Sequence, residues 1–491
     1  MPRRMVAVDL GAQSGRVAVG AFDGERLRVT EVHRFANVPV RAGGTLYWDV
    51  LRLYEDTLDG LARAGPADSV GVDTWGVDYG LLDKTGRLLE NPVHHRDRRT
   101  EDAMERVFAE IPARELYERT GIQMMPINTL FQLAAAAGDP TLEAADRLLL
   151  VPDLLHYWLT GVVSCEFTNA TTTQCFDPRA ATWAADLLRR LGIPERIFVD
   201  AVDPATVLGG LRDDVVERTG LSQAVVVAGA THDTASAVAA VPFRHPDAAY
   251  ISCGTWSLVG LERPAPAIDD RTFAANLTNE GGVGGTFRAL RNVTGLWLLH
   301  ECRRVWAEAG TSWEFAELLS LAERAPAFGS LIDPNDGGFL SPGDMPGRIR
   351  DFCSRTGQEE PVDPGAVVRC VLESLALKHR QTVELLSGAT GIAPPEIHVV
   401  GGGARNELLC RWTADAAQLP VLAGPEEATV VGNLAVQAIA LGELASLAEA
   451  REVVRASFWP VLYEPRDAAA WDEAYGRFEQ LAAAEPTGVA A

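Results

Sequence analysis

The sequence predicts an α/β protein built as two related domains with a cleft between them. Three observations carry that expectation. Residues 6–17 (VAVDLGAQSGRV) and 249–258 (AYISCGTWSL) repeat one pattern: an apolar strand, a Gly-containing turn rich in small hydroxyl residues, and a second strand. At 491 residues the chain is too long for a single core and fits two domains. Residues 241–247 (VPFRHPD) carry two prolines and read as a hinge, dividing the chain into domains 1–243 and 244–491.

The elements follow in order. Residues 5–10, 17–22 and 27–35 read as strands, with Asp23-Gly24 as the hairpin turn between the second and third. Leu51, Tyr54, Leu58 and Leu61 recur at helical spacing across residues 49–64, and residues 69–73 resume a strand. Three strands, a helix and a strand open a ribonuclease-H-like unit. The order returns after Pro246, with strands at residues 249–252, 255–261 and 287–290 and a helix at 295–309. The two halves share this order with little literal identity, which is the mark of an old duplication.

Composition excludes several functions. The net charge of −23 argues against nucleic acid and acidic membranes, which reward a basic stripe. Only Lys84 and Lys378 stand beside 42 arginines, and no Gly-Lys-Ser/Thr occurs, so a P-loop is excluded. The seven cysteines form no C-x-x-C and no zinc spacing with the nine histidines, so they read as buried free thiols. No apolar run reaches bilayer length, and Asp9 interrupts the stretch after the basic opening. The expectation is a cytoplasmic protein, monomeric or weakly dimeric.

Chemistry is expected at the strand ends. Asp9 precedes a Gly turn, where a carboxylate can hold hydrated Mg²⁺ while Arg16 reaches a terminal phosphate; a structural Asp capping a hairpin is the bland alternative. Gly254 and Thr255 offer a backbone N–H and a hydroxyl from the second repeat, so that the two turns would make a phosphate clamp. Residues 397–406 (IHVVGGGARN) bring three glycines after a strand, against which an adenine or an α-phosphate fits, with Asn406 as helix cap or base contact; a plain tight turn is the alternative. Asp233, beside His232 and Thr234 after a buried Val strand, is the candidate base to accept a hydroxyl proton, or else a helix N-cap. Residues 71–80 (GVDTWGVDYG) and 94–100 (HHRDRRT) read as polar loops with an exposed Trp75, the kind of surface that binds carbohydrate, although Arg98 and Arg99 read as solvated loop charge.

Taken together, VAVDLGAQSGR, VGVDTWGVDYG, MPINTLFQL, FTNATTTQ, THDTASAV, SCGTWSL, NVTGLWLL and HVVGGGARN resemble the FGGY carbohydrate-kinase family, over roughly residues 6–460. DTWGVD, NATTTQ and HDTASAV in this order resemble its rhamnulokinase branch in particular. The resemblance implies an actin-like ATPase arrangement with an interdomain active-site cleft, and transfer of the ATP γ-phosphate to O1 of L-rhamnulose with Mg²⁺.

Residue by residue it implies a nucleotide site at Ala12, Gln13, Ser14, Gly15 and Arg16, with Thr255, His300 and Gly402; the strand-end reading adds Gly254, Gly401, Gly403 and Asn406. It implies a sugar site at Gly76, His232, Asp233, Thr234 and Asn292, beside Trp75, with Asp233 as proton acceptor. Gln13 stands where the family favours a small hydroxyl residue, and His300 where Gln occurs. Cys353 and Cys370 match a family disulfide whose companion pairs are not visible in this sequence. A kinase for another ketose, such as L-fuculose or xylulose, and a non-catalytic sugar sensor are the alternative readings.

Overall fold

The computed structural model describes residues 2–482. In chain order the elements that position the site are β1 (Arg3–Leu10), β2 (Ser14–Phe22), β3 (Leu27–Ala36), α1 (Val50–Ala64), β4 (Ser69–Thr74), β5 (Thr206–Gly210), β6 (Val225–Ala228), α2 (Asp233–Ala239), β7 (Ala249–Cys253), β8 (Trp256–Arg263), β9 (Thr278–Gly281), β10 (Phe287–Thr294), α3 (Trp297–Glu308), β11 (Ile397–Val400), β12 (Val421–Ala423), α4 (Ala428–Ala440) and β13 (Val461–Tyr463). They divide between two compact units. One runs to Pro242 and takes in Glu262–Ala289 and Ala428–Trp459; the other holds Phe243–Leu261, Leu290–Glu427 and the residues from Pro460 on.

The first unit contains a sheet of order β5-β6-β4-β1-β2-β3. Strand β1 runs antiparallel to β2 and parallel to β4, β4 runs parallel to β6, and β5 is antiparallel to β6. Val6, Val8, Val70, Val72, Val226 and Val227 are buried along the central strands, each stabilising by about 1.5–3 kcal/mol relative to exposure. A continuous apolar run of this kind is what a strand covered on both faces needs.

Helix α1 starts at an Asp49 cap, whose side chain accepts from the Arg52 N–H, and buries Val50, Leu53, Leu58 and Leu61. Leu51 departs from expectation and lies exposed, because it sits about 100° around the helix from Val50.

Helix α4 packs against α2 so closely that a Cβ added at Gly432 would lie 1.7 Å from the Ser236 carbonyl oxygen. The α4 side chain Gln437 donates to the Val6 carbonyl at 3.0 Å and accepts from the Ser69 hydroxyl at 2.6 Å, tying the helix to the central strands.

The second sheet has the order β9-β10-β8-β7-β11-β12-β13. Strand β7 is antiparallel to β8 and parallel to β11, β11 is parallel to β12, and β13 is antiparallel to β12. From β10 to β13 this reproduces the order from β3 to β5, so the ribonuclease-H-like repeat is present twice. Among the described residues no helix is long and apolar enough to cross a membrane.

Candidate active site

In the first unit, register brings charges together. Asp9 faces Arg16 across the β1–β2 hairpin, and Asp9 Oδ2 accepts from Arg16 Nε at 2.7 Å. Asp9 is also the parallel partner of Asp73 on β4.

Asp73 is fully buried, its Oδ2 accepting from the Asn433 amide while Oδ1 has no hydrogen-bond partner. Burial first, and the nearby Asp9 carboxylate next, hold its pKa well above the ordinary carboxylate range. Asp233 is a further carboxylate acting on the same group.

Asp233 opens α2, with His232 at the cap position. Its Oδ1 accepts from the Thr234 N–H at 2.5 Å and hydroxyl at 3.1 Å, and His232 Nε2 lies 3.3 Å from the same oxygen. Burial is the largest influence on Asp233; His232 opposes it, Asp9 reinforces it, and the pKa is raised.

The preceding loop is fastened from below. Glu166 Oε2 accepts from the Thr231 N–H at 2.9 Å, the Thr231 hydroxyl at 2.8 Å and the Thr168 hydroxyl at 2.5 Å. The Thr74 N–H donates to the Thr231 carbonyl at 2.9 Å, joining the end of β4 to the Asp233 turn.

Trp75 overturns one expectation. It is 7% exposed rather than open to solvent, with its ring centroid 4.1 Å from that of Trp48. Its indole N–H and that of Trp48 both donate to Asp78 Oδ2, at 2.9 and 2.6 Å, and His95 Nδ1 lies 2.7 Å from the same oxygen. A buried carboxylate that satisfies those N–H groups is what lets two tryptophans go inside. Gly76 follows in a turn where an added Cβ would meet the hydroxyl of Thr172, from the Thr-rich NATTTQ stretch, at 2.9 Å. Arg98 is exposed as expected, while Arg99 is held by Gln132 at 2.8 Å.

The turn glycines also correct the sequence reading. The Gly11 N–H donates to the Ser14 carbonyl at 2.9 Å and the Gly254 N–H to the Trp256 carbonyl at 2.7 Å, so both close their own turns. Ala12, Gln13 and Thr255 are the residues whose N–H groups stand outside these bonds. Ala12 and Gln13 are exposed and Ser14 half-buried, whereas Gly15 is buried against Phe35.

In the second unit, the loop Gly254–Thr255 rests on the start of α3. Gly254 and Thr255 carbonyls accept from the Leu296 and Gly295 N–H groups at 2.9 and 3.1 Å. His300 lies one turn further along, its pKa lowered mainly by burial. Asn292 is half-buried on β10.

Of the three glycines after β11, Gly401 and Gly403 press on Cys253 while Gly402 faces open space. Asn406 caps the helix Glu407–Ala417 through a 3.1 Å bond from the Leu409 N–H, and its buried Nδ2 has no partner. Cys353 and Cys370 are free, buried thiols in hydrogen-bonding contact.

The structure thus groups Asp9, Arg16, His232, Asp233 and Thr234 in the first unit, and Gly254, Thr255, Gly401 and Gly403 around Cys253 in the second. Trp75 belongs instead to the Asp78 cluster. Asp73, Asn433 and Glu166 escape the sequence reading; the strand-end position of Asp73, one residue before the conspicuous Thr74-Trp75, is the signal that could have found the first of them.

The N-terminal domain model of the FGGY family of carbohydrate kinases matches residues 4–240, and its C-terminal domain model matches residues 249–441. The chain belongs to the FGGY family of carbohydrate kinases. It is 44% identical to the rhamnulokinase of Bacteroides thetaiotaomicron, covering 98% of this chain and 99% of that one. It is 41% identical to the rhamnulokinase of Enterococcus faecalis, covering 94% of each.

Among solved structures its fold is shared by a gluconate kinase from Lactobacillus acidophilus, with a TM-score of 0.81 at 15% identity over 99% of this chain and 98% of that one. A Plasmodium falciparum glycerol kinase solved with ADP shares it too, with a TM-score of 0.77 at 14% identity over 98% of each chain. As an FGGY kinase the chain uses ATP as co-substrate, and it does so without a P-loop lysine.

Proposed function

We propose that this FGGY kinase transfers the γ-phosphoryl group of ATP to O1 of L-rhamnulose, giving L-rhamnulose 1-phosphate and ADP in the breakdown of L-rhamnose. The relatives that carry this reading are the rhamnulokinases, matched along nearly the whole chain. The observation that carries the mechanism is Asp233. Its Oδ1 is saturated by Thr234 and approached by His232, leaving Oδ2 to accept the proton of the attacking hydroxyl. Phosphoryl transfer asks little covalent chemistry of a protein, so positioning and charge stabilisation carry the rate.

In this reading domains 1–243 and 244–491 each contribute residues for the sugar and for the nucleotide. His232, Asp233, Thr234, Gly76 and Asn292 take the sugar, with Trp75 acting as the packed support of Gly76. Residues 12–16, Thr255, His300, Gly401–Gly403 and Asn406 take the nucleotide, with Gly254 shaping the turn that presents Thr255 and Arg16 reaching the terminal phosphate.

The carboxylates also fit Mg²⁺. Asp9 and Asp73 supply hard oxygens, and Asp73 Oδ1 is an orphan acceptor. Among the described residues no cluster of three or more His, Cys, Asp or Glu forms a cage. Asp9 would hold Mg²⁺ through water, and the bound ion would neutralise phosphate charge.

The test is ADP release with Mg·ATP against L-rhamnulose, L-fuculose, L-xylulose, D-xylulose and glycerol. Preference for L-rhamnulose supports the reading, preference for another acceptor replaces the substrate, and no sugar stimulation removes the kinase. Asp233→Asn is expected to bind both substrates while turnover falls by about 10² or more.

A further inference from the structure

Arg288 is the most unusual charge in the first unit. It is fully buried on β10, where an unpaired guanidinium would be severely penalised. Three partners hold it. Nη1 pairs with Glu280 Oε2 at 3.1 Å, Nε donates to the Gly281 carbonyl at 2.9 Å, and Nη2 lies 3.2 Å from His232 Nδ1. Glu280 is itself buried and lies 3.3 Å from the same His232 nitrogen. Burial would raise its pKa, but Arg288 and His232 outweigh that and keep it below the ordinary range.

The consequence reaches Asp233. Arg288 has only donors, so its contact with His232 Nδ1 requires that nitrogen to be an acceptor, and the imidazole proton then sits on Nε2. The other tautomer, with Nδ1–H toward Glu280, would leave a bare Nε2 lone pair facing the Asp233 carboxylate and is disfavoured. The favoured arrangement presents an Nε2–H to Asp233 Oδ1, 3.3 Å away. That N–H joins the two Thr234 donors on Oδ1, and among the described residues Oδ2 has no partner.

We propose that Glu280 and Arg288 are positioning residues that, through His232, orient the Asp233 carboxylate so that Oδ2 is the oxygen that takes the acceptor's proton. The inference rests on the reading of Asp233 as the base. A buried ion pair with no further task is often replaceable by apolar residues of similar volume without loss of stability. Its place beneath the Asp233 turn is explained by what it does to the imidazole.

Two measurements test it. In the full-length protein labelled with ¹⁵N-histidine, the His232 resonance, assigned by its loss in His232→Gln, should report a protonated Nε2. A bare Nε2 with its proton on Nδ1 overturns the proposal, and this reading needs no variant of Glu280 or Arg288 to fold. In the Glu280→Met/Arg288→Met double variant, checked for folding by its thermal midpoint, kcat should fall by about 10-fold or more while the KM for ATP stays within about twofold. A folded double variant with kcat within about twofold of the parent overturns the proposal. If Asp233→Asn retains normal turnover, the base assignment and this inference fall together. If Asp233→Asn collapses while the double variant does not, only this inference falls.

Discussion

Strands β1 and β7 hold the same place in their sheets, yet they deliver opposite chemistry. Counting back from the turn glycines Gly11 and Gly254, Asp9 occupies the position that Ser252 holds in the second repeat. Asp9 has Arg16 across its hairpin and Asp73 in parallel register; Ser252 has Leu258 and Val400. One repeat thus gathers carboxylates and a guanidinium at a strand end, and the other leaves the same end neutral and packs it with glycines. Duplication supplied one scaffold twice. In the proposed reaction the charged strand end of the first repeat would meet the transferred phosphate, while the neutral, glycine-lined end of the second would share in binding the nucleotide.

The largest test of this division is Asp9→Asn, which should lower sugar-dependent ADP release by about 10²–10³-fold, the scale of losing one charge-stabilising group. Adding Ser252→Asp to that variant should restore nothing; recovery of turnover would mean that the two strand ends are interchangeable. A smaller effect should separate the glycines of the second repeat. A Cβ at Gly403 would lie 2.2 Å from Cys253 Sγ, so Gly403→Ala should cost about 1–3 kcal/mol and lower the thermal midpoint. Gly402 meets nothing, so Gly402→Ala should leave the midpoint unchanged and raise the KM for ATP. Equal midpoints for the two variants would break the assignment.

The smallest effect is one on which the units should agree. His156 in the first unit and His379 in the second are each buried, and burial lowers the pKa from 6.5 to about 3 in both. Because the folded value lies below the unfolded one, this contribution is complete above about pH 6.5 and is lost as pH falls toward 3. Each should cost about 1–1.5 kcal/mol by pH 5.5, and His156→Leu or His379→Leu should flatten the denaturation midpoint across that window.

Much of this was legible because strands and turns announce themselves locally. The apolar runs before Asp9, Asp233 and Gly401, each broken by a small or glycine-rich turn, placed the strand ends before any tertiary contact was known. What depended on register was not legible. Asp73 reads as one polar residue at a strand end until β4 lies parallel to β1, and Asn433 reaches it from 360 residues away. Trp75 misled because its polar neighbours look solvated, when one of them, Asp78, is the buried acceptor for its N–H.

The return of residues 428–459 to the first unit gives that unit an unusual birth order. Helix α4 braces β1 and β4 through Gln437 and Asn433, yet a ribosome makes it only after most of the second unit. The first unit thus completes its packing only once residues 428–459 are made, against the usual course of N-terminal domains folding first during synthesis. The strands bearing Asp9 and Asp73 must wait with one face uncovered while some 350 further residues emerge, so a message truncated before codon 428 would yield not half an enzyme but an exposed sheet, a substrate for chaperones and proteases.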